Sequence, residues 1–161
     1  MLAFAVGCAT IPHYRQPERS EPHARVLIRF SHGARTDEGP LDDVVWLDAT
    51  LVPLELRRDD GTIALRVAPG RLEWAFKTSR YHEEERIVTH RGGPPGLRRT
   101  TRRSEYDHVS EGGCRASLLQ TARAGSDYIV EYTYASPEDC HATCRRIVRA
   151  ADGSESDAEC D

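Results

Sequence analysis

The chain has 161 residues, 39% of them apolar and 30% charged, with a net charge of −4. That length fits one domain with a real core, and the composition is wetter than average without reaching the disordered class. The negative balance excludes a general attraction to nucleic acid.

Residues 2–7 are apolar and small, and Cys8 follows them. Ala5-Val6-Gly7-Cys8 resembles the lipobox of bacterial lipoproteins, with Ala5 where leucine is usual. The resemblance implies that Cys8 becomes the lipidated first residue of the mature chain. Residues 1–7 are then the remnant of a signal peptide whose charged start lies upstream. It also implies a lipid-anchored place in the bacterial cell envelope, at the outer membrane and facing periplasm or surface. Residues 9–23 carry Pro12, Pro17 and Pro22 among polar neighbours, a composition that predicts an unpacked tether. No later stretch reaches the roughly eighteen apolar residues that span a bilayer. Acyl chains on Cys8 are therefore the expected membrane attachment. The expected organisation is a signal remnant at 1–7, anchor and tether at 8–23, a β domain at 24–150 and an acidic tail at 151–161.

The domain opens on alternation: Val26, Ile28 and Phe30 interleave with Leu27, Arg29 and Ser31, which is strand spacing. Residues 31–40 read as a loop. Residues 43–48 form a second strand and 51–56 a third, with Pro53 marking an edge or bulge. Asp59-Asp60-Gly61 and Pro69-Gly70 are turns. Between and after them, Ile63, Leu65, Val67 and then Leu72, Trp74, Phe76 alternate. Residues 62–67 and 71–78 therefore predict a hairpin. The stretch Val45-Trp46-Leu47-Asp48 with Leu65-Arg66-Val67-Ala68-Pro69-Gly70-Arg71-Leu72 is similar to the rhythm of small envelope β-sandwiches, PEGA-like domains among them. In that pattern Ala49 stands where glycine is preferred. The resemblance implies a fold class and no catalytic residue.

Residues 81–90 predict a strand or a long hairpin arm, and 92–96 a Gly/Pro break. Residues 98–108 read as polar chain. Residues 115–121 and 128–134 are strands, the second carrying Tyr128, Val130, Tyr132 and Tyr134 on one face. Turns follow at 136–139 and at Asp152-Gly153. No window shows sustained helical periodicity. Short strands punctuated by frequent turns predict an all-β fold, a small antiparallel β-sandwich.

Of five cysteines, setting Cys8 aside leaves Cys114, Cys140, Cys144 and Cys160, an even set in the C-terminal third. In an exported domain that reads as two disulfides with three pairings open. If 113–121, 127–135 and 141–149 form an antiparallel meander, Cys114 lies at the same end as Cys140, and the tail returns Cys160 to Cys144. Cys114–Cys140 and Cys144–Cys160 are then the expected bridges. Cys140-His141-Ala142-Thr143-Cys144 lacks the paired C-x-x-C knuckles of a structural zinc site.

Arg98, Arg99, Arg102 and Arg103 form a basic run, a solvated face or a site for an anionic envelope partner such as a polysaccharide. His82 precedes Glu83, Glu84 and Glu85, and His90 and His108 flank the Gly/Pro break. A carboxylate–histidine pair can move protons or bind metal. No H-E-x-x-H or G-x-S-x-G accompanies these residues, so none is assigned a catalytic role, and no metal or cofactor is expected. The expected function is a non-catalytic structural or binding role in the envelope, with an envelope protein or polysaccharide as partner. The alternatives are a metal-dependent periplasmic enzyme built on the His/Glu cluster and a cytosolic β domain with a Cys-based zinc site.

Overall fold

The computed structural model describes residues 11–32, 41–92 and 99–161. Among these described residues nine strands follow one another: β1 (Ala24–His32), β2 (Leu41–Leu47), β3 (Thr50–Leu51), β4 (Ile63–Val67), β5 (Gly70–Gly92), β6 (Arg99–Ala122), β7 (Asp127–Ser136), β8 (Asp139–Arg149) and β9 (Glu155–Glu159). A single 3-10 turn at Leu54–Leu56 lies between β3 and β4. Residues 51–56, expected as a strand, thus give only the end of β3 and this turn. Pro53, which has no N–H to donate to a ladder, stands where the pairing ends.

The strands make two sheets, β4-β1-β7-β8-β9 and β3-β2-β5-β6. β1 and β7 run parallel, and every other pair is antiparallel. Alternation explains the layering. β1 buries Ala24, Val26 and Ile28, and β4 buries Ile63, Leu65 and Val67. β7 buries Tyr128, Val130, Tyr132 and Tyr134. From the other sheet come Val45, Leu47, Leu72, Trp74 and Phe76. These faces share one core, so the fold is an all-β sandwich. At its centre Phe76 stacks on Tyr132 with ring centroids 5.1 Å apart. Trp74 is fully buried, and its indole Nε1 donates to Gln120 Oε1 at 2.9 Å, which satisfies a polar atom the core would otherwise strand.

Two neighbour relations differ from the sequence expectation. β4 and β5 are not a hairpin: β4 pairs with β1, while β5 pairs with β2 and β6. Pro69-Gly70 is a corner where the chain changes sheet. Gly70 has φ 137°, a region that side chains rarely enter. β6 and β7 are likewise in opposite sheets, joined by the turn at Gly125. Of the three strands expected to form a meander, only β7 and β8 are neighbours, and β9 follows β8 as the next antiparallel strand. Residues 98–108, expected as polar chain, belong to β6 from Arg99 onward. The turn between β2 and β3 runs through Asp48 (φ 48°) and Ala49 (φ 61°), both left-handed, as a two-residue hairpin turn requires. That is why glycine would suit position 49.

The segment before β1 is no free tether over its described length. Tyr14 N–H donates to Leu51 O, Leu51 N–H donates to Pro12 O, and the Tyr14 hydroxyl donates to Arg66 O at 2.9 Å. Gln16 Oε1 accepts from Arg66 N–H. One aromatic ring packed against the core outweighs the disorder that a Pro-rich composition favours.

β5 and β6 pair along their whole length, from Gly70↔Ala122 to Gly92↔Arg99. Over its described residues β2 accompanies β5 from Leu47↔Trp74 to Leu41↔Arg80. At that point the register shifts between Arg80 and Tyr81, and Gly112 takes φ 113°. Beyond it β5 and β6 continue as an arm of roughly 40 Å at strand rise, with no third strand among the described residues.

Candidate functional site

The cysteines pair as expected. Cys114–Cys140 has a Cα–Cα distance of 6.0 Å and Cys144–Cys160 one of 5.6 Å. The first is not a brace between sheet neighbours: Cys114 is on β6 and Cys140 on β8, so it staples the two sheets together. The second secures β9 and the acidic tail to β8. The terminal residue then closes back on the other sheet, with Thr121 N–H donating to Asp161 O and Arg123 paired with the Asp161 carboxylate. With their sulfurs joined, these four residues offer no thiolate to a metal. Cys8 lies outside the described residues.

The basic run falls on the arm. Arg98 lies outside the described residues. Arg99 is the first residue of β6, opposite Gly92, and Arg102 and Arg103 are exposed opposite Thr89 and Val88. The histidines of the supposed cluster are spread along the same arm. His82 stands opposite Val109, and His108 is opposite Glu83. His90, opposite Thr101, is eight positions from His82, roughly 26 Å along the strand. The three do not converge on one centre. Among the described residues no group of three or more His, Cys, Asp or Glu is placed to hold a metal ion.

The sandwich contains a polar cluster that sequence reading missed. Asp43, on β2, is only 4% exposed. Its carboxylate accepts from the Thr78 hydroxyl at 2.7 Å, lies 3.0 Å from His32 Nε2, and has Arg57 Nη2 at 3.4 Å. Arg57 also lies over the Phe30 ring, 4.8 Å from its centroid. Burial pushes the nearby Tyr132 phenol up; the Thr78 hydroxyl opposes that push and the Asp43 charge adds to it. Residues from β1, β2, β5 and the 3-10 turn thus meet around one carboxylate. A buried anion needs such company, because burial without partners costs several kcal/mol. The chemistry is that of a staple. Thr78 gives its proton to Asp43, and it is fully buried, so its hydroxyl does not face solvent. The shallow pocket beside it is lined by Phe30, His32, Arg57 and Thr62. The only sequence signal was an aspartate at an inward position of β2, visible once the strand's alternation is extended one step N-terminally.

A second basic surface also escaped the sequence. On the outer face of the β4-β1-β7-β8 region, Arg25, Arg29, Arg58, Arg66 and Arg149 rim a groove floored by Leu27, Ala64, Ile129 and Ile147. Strand pairing gathers residues more than a hundred positions apart, which no run in the sequence reveals. Carboxylates already answer much of this charge. Asp127 takes both Arg25 nitrogens, at 2.5 and 2.6 Å, and Arg149 at 3.4 Å. Arg29 lies 3.7 Å from Glu131. The arm differs, since its basic tip has no carboxylate between residues 87 and 104.

Comparison with protein-family models, with curated proteins and with solved structures finds no match to this chain.

Proposed function

We propose that the protein is an exported bacterial envelope lipoprotein, anchored through Cys8, whose sandwich serves a non-catalytic binding or structural role. The observation that carries the reading is the use of the cysteines. Four are consumed pairwise in two disulfides, leaving Cys8 as the odd one. Such bridges persist in oxidising compartments and are rare in the cytosol. The unpaired cysteine is the one that ends the lipobox-like segment. Acyl chains there provide membrane attachment, since no described helix is long and apolar enough to cross a membrane. The arm, with its basic tip, is the part of the molecule presented to a partner in the envelope.

Mass spectrometry of the natively expressed protein tests this. A diacylglyceryl mass on Cys8, with the other four cysteines oxidised, is the expected result. An unacylated Cys8 with four free thiols elsewhere overturns it.

A further inference from the structure

The arm has three properties that belong together. The first is segregated charge. The half next to the sandwich carries Glu83, Glu84, Glu85, Glu105, Asp107 and Glu111, whereas the outer half carries Arg91, Arg99, Arg102 and Arg103 and no acid. The second is an exposed apolar centre. Ile87 is 66% and Tyr106 61% exposed, large side chains that a lone ribbon leaves in water. Register puts both on one face, because Glu85 stands opposite Tyr106 and Ile87 opposite Ser104. The third is a pair of charges on that same face with no partner among the described residues. Glu85 and Arg102 are both exposed and four register steps apart, roughly 13 Å, so they cannot meet within one chain. The opposite face is different: Arg86 reaches Asp107 there at 3.8 Å.

We infer that the arm docks face to face, antiparallel, on the arm of a second copy of this chain, about a two-fold axis passing Ile87. A two-fold interface must be complementary to itself, and segregated charge on a strand achieves that when the strands run in opposite senses. With the axis at Ile87, the two Ile87 side chains meet. The level of Glu85 and Tyr106 in one copy then faces the level of Thr89 and Arg102 in the other. Glu85 gains an arginine, and Tyr106 offers that arginine a ring face. One step further out, the chain position of Glu83 coincides with that of the second copy's Arg91. The contact has the anatomy of a small interface, an apolar middle with charged flanks. An isolated two-stranded ribbon is marginal in water, and a second ribbon laid on its apolar face relieves that. The inference does not depend on lipidation of Cys8.

Sedimentation of the full chain carrying Cys8→Ser, with its disulfides intact, tests it. The expected result is a monomer–dimer equilibrium that weakens as salt is raised. Glu85→Arg or Arg102→Glu alone places two like-charge contacts across the axis and weakens association by roughly tenfold or more. An equimolar mixture of the two variants associates again, because the reversed charges of the two chains then oppose each other. Ile87→Ser weakens the dimer without changing any charge. All these side chains are exposed, so the fold does not depend on them. A species of 18.0 kDa at every concentration overturns the inference. So does a mixture that associates no better than either variant alone, or a dimer indifferent to all three changes.

Discussion

β5 and β6 are one antiparallel pair living two lives. From Trp74 to Arg80, β5 is flanked by β2 and β6, and from Gly70 to Arg80 it buries Leu72, Trp74, Phe76 and Thr78 against the other sheet. Beyond Arg80 the ladder continues without a third strand among the described residues, and its described side chains are nearly all exposed. The β5–β6 ladder runs through both halves. What differs is whether a second layer covers one face. The ladder sets the shape of the ribbon, while burial sets its stability. Burial also explains why the two halves have different compositions. A covered face demands apolar residues at every second position, and an uncovered one is free to carry charge in whatever order a partner requires.

The largest break in this comparison comes from deleting the same kind of residue on each side of Arg80. Trp74→Ala removes a fully buried ring and orphans Gln120, and is expected to cost about 3–5 kcal/mol in denaturant unfolding. Tyr106→Ala on the arm is expected to stay within about 0.5 kcal/mol in the monomer. Equal losses would mean that the arm is packed like the body. Next come the disulfides. Replacing Cys114 and Cys140 together, or Cys144 and Cys160 together, by serine is expected to cost about 3 kcal/mol each. The first pair, with sequence separation 26 against 16, should cost slightly more. Equilibrium unfolding of the two double variants checks the order.

A smaller effect probes the junction itself. A Cβ on Gly113 would lie 2.2 Å from the Thr78 carbonyl oxygen, so Gly113→Ala must push β6 away from β5 where the arm begins. The expected cost is about 1–3 kcal/mol. Hydrogen exchange should show faster opening around residues 112–114 than around Trp74. Uniform protection along β6 would argue that the junction is not a boundary.

The smallest effect concerns pH and the segment docked beside β4. Burial, with help from the Asp48 charge, pushes the Tyr14 phenol up to about 12 from an ordinary 10.0. The folded state thus holds that proton more tightly than the unfolded chain does. Its contribution is fully present below pH 10 and is lost as pH rises through about 12. Unfolding midpoints of the wild-type chain should fall more steeply across this window than those of Tyr14→Phe. Parallel curves would show that Tyr14 is not packed as described.

Much of the body was legible because alternation reports which face of a strand is buried. Val26 and Ile28, Leu72 and Trp74, and Tyr128 through Tyr134 all face the core as their spacing implied. The Arg80–Tyr81 transition was only half legible. The loss of apolar alternation after Phe76 permitted a long arm, but nothing local marked the register shift between Arg80 and Tyr81. The Asp43 cluster was illegible for a related reason. His32, Asp43, Arg57 and Thr78 come from separate elements, and no motif spacing links them.

The cysteine pairing shows where the boundary lies. Cys114–Cys140 and Cys144–Cys160 were reached by supposing that 113–121 lies beside 127–135, yet β6 and β7 are in opposite sheets. The pairing survives because a sheet-to-sheet bridge and a strand-to-strand bridge make the same demand, that Cys114 and Cys140 lie at one end. By itself the sequence determined the fold class, the buried faces and the even cysteine set, since these follow from side-chain periodicity and count. Only the tertiary structure decided which strands are neighbours, because a Pro-Gly hairpin turn and a Pro-Gly corner between sheets use the same residues. It alone also showed that the arm leaves the sandwich, because a ribbon's exposure depends on what covers it and not on its own ladder.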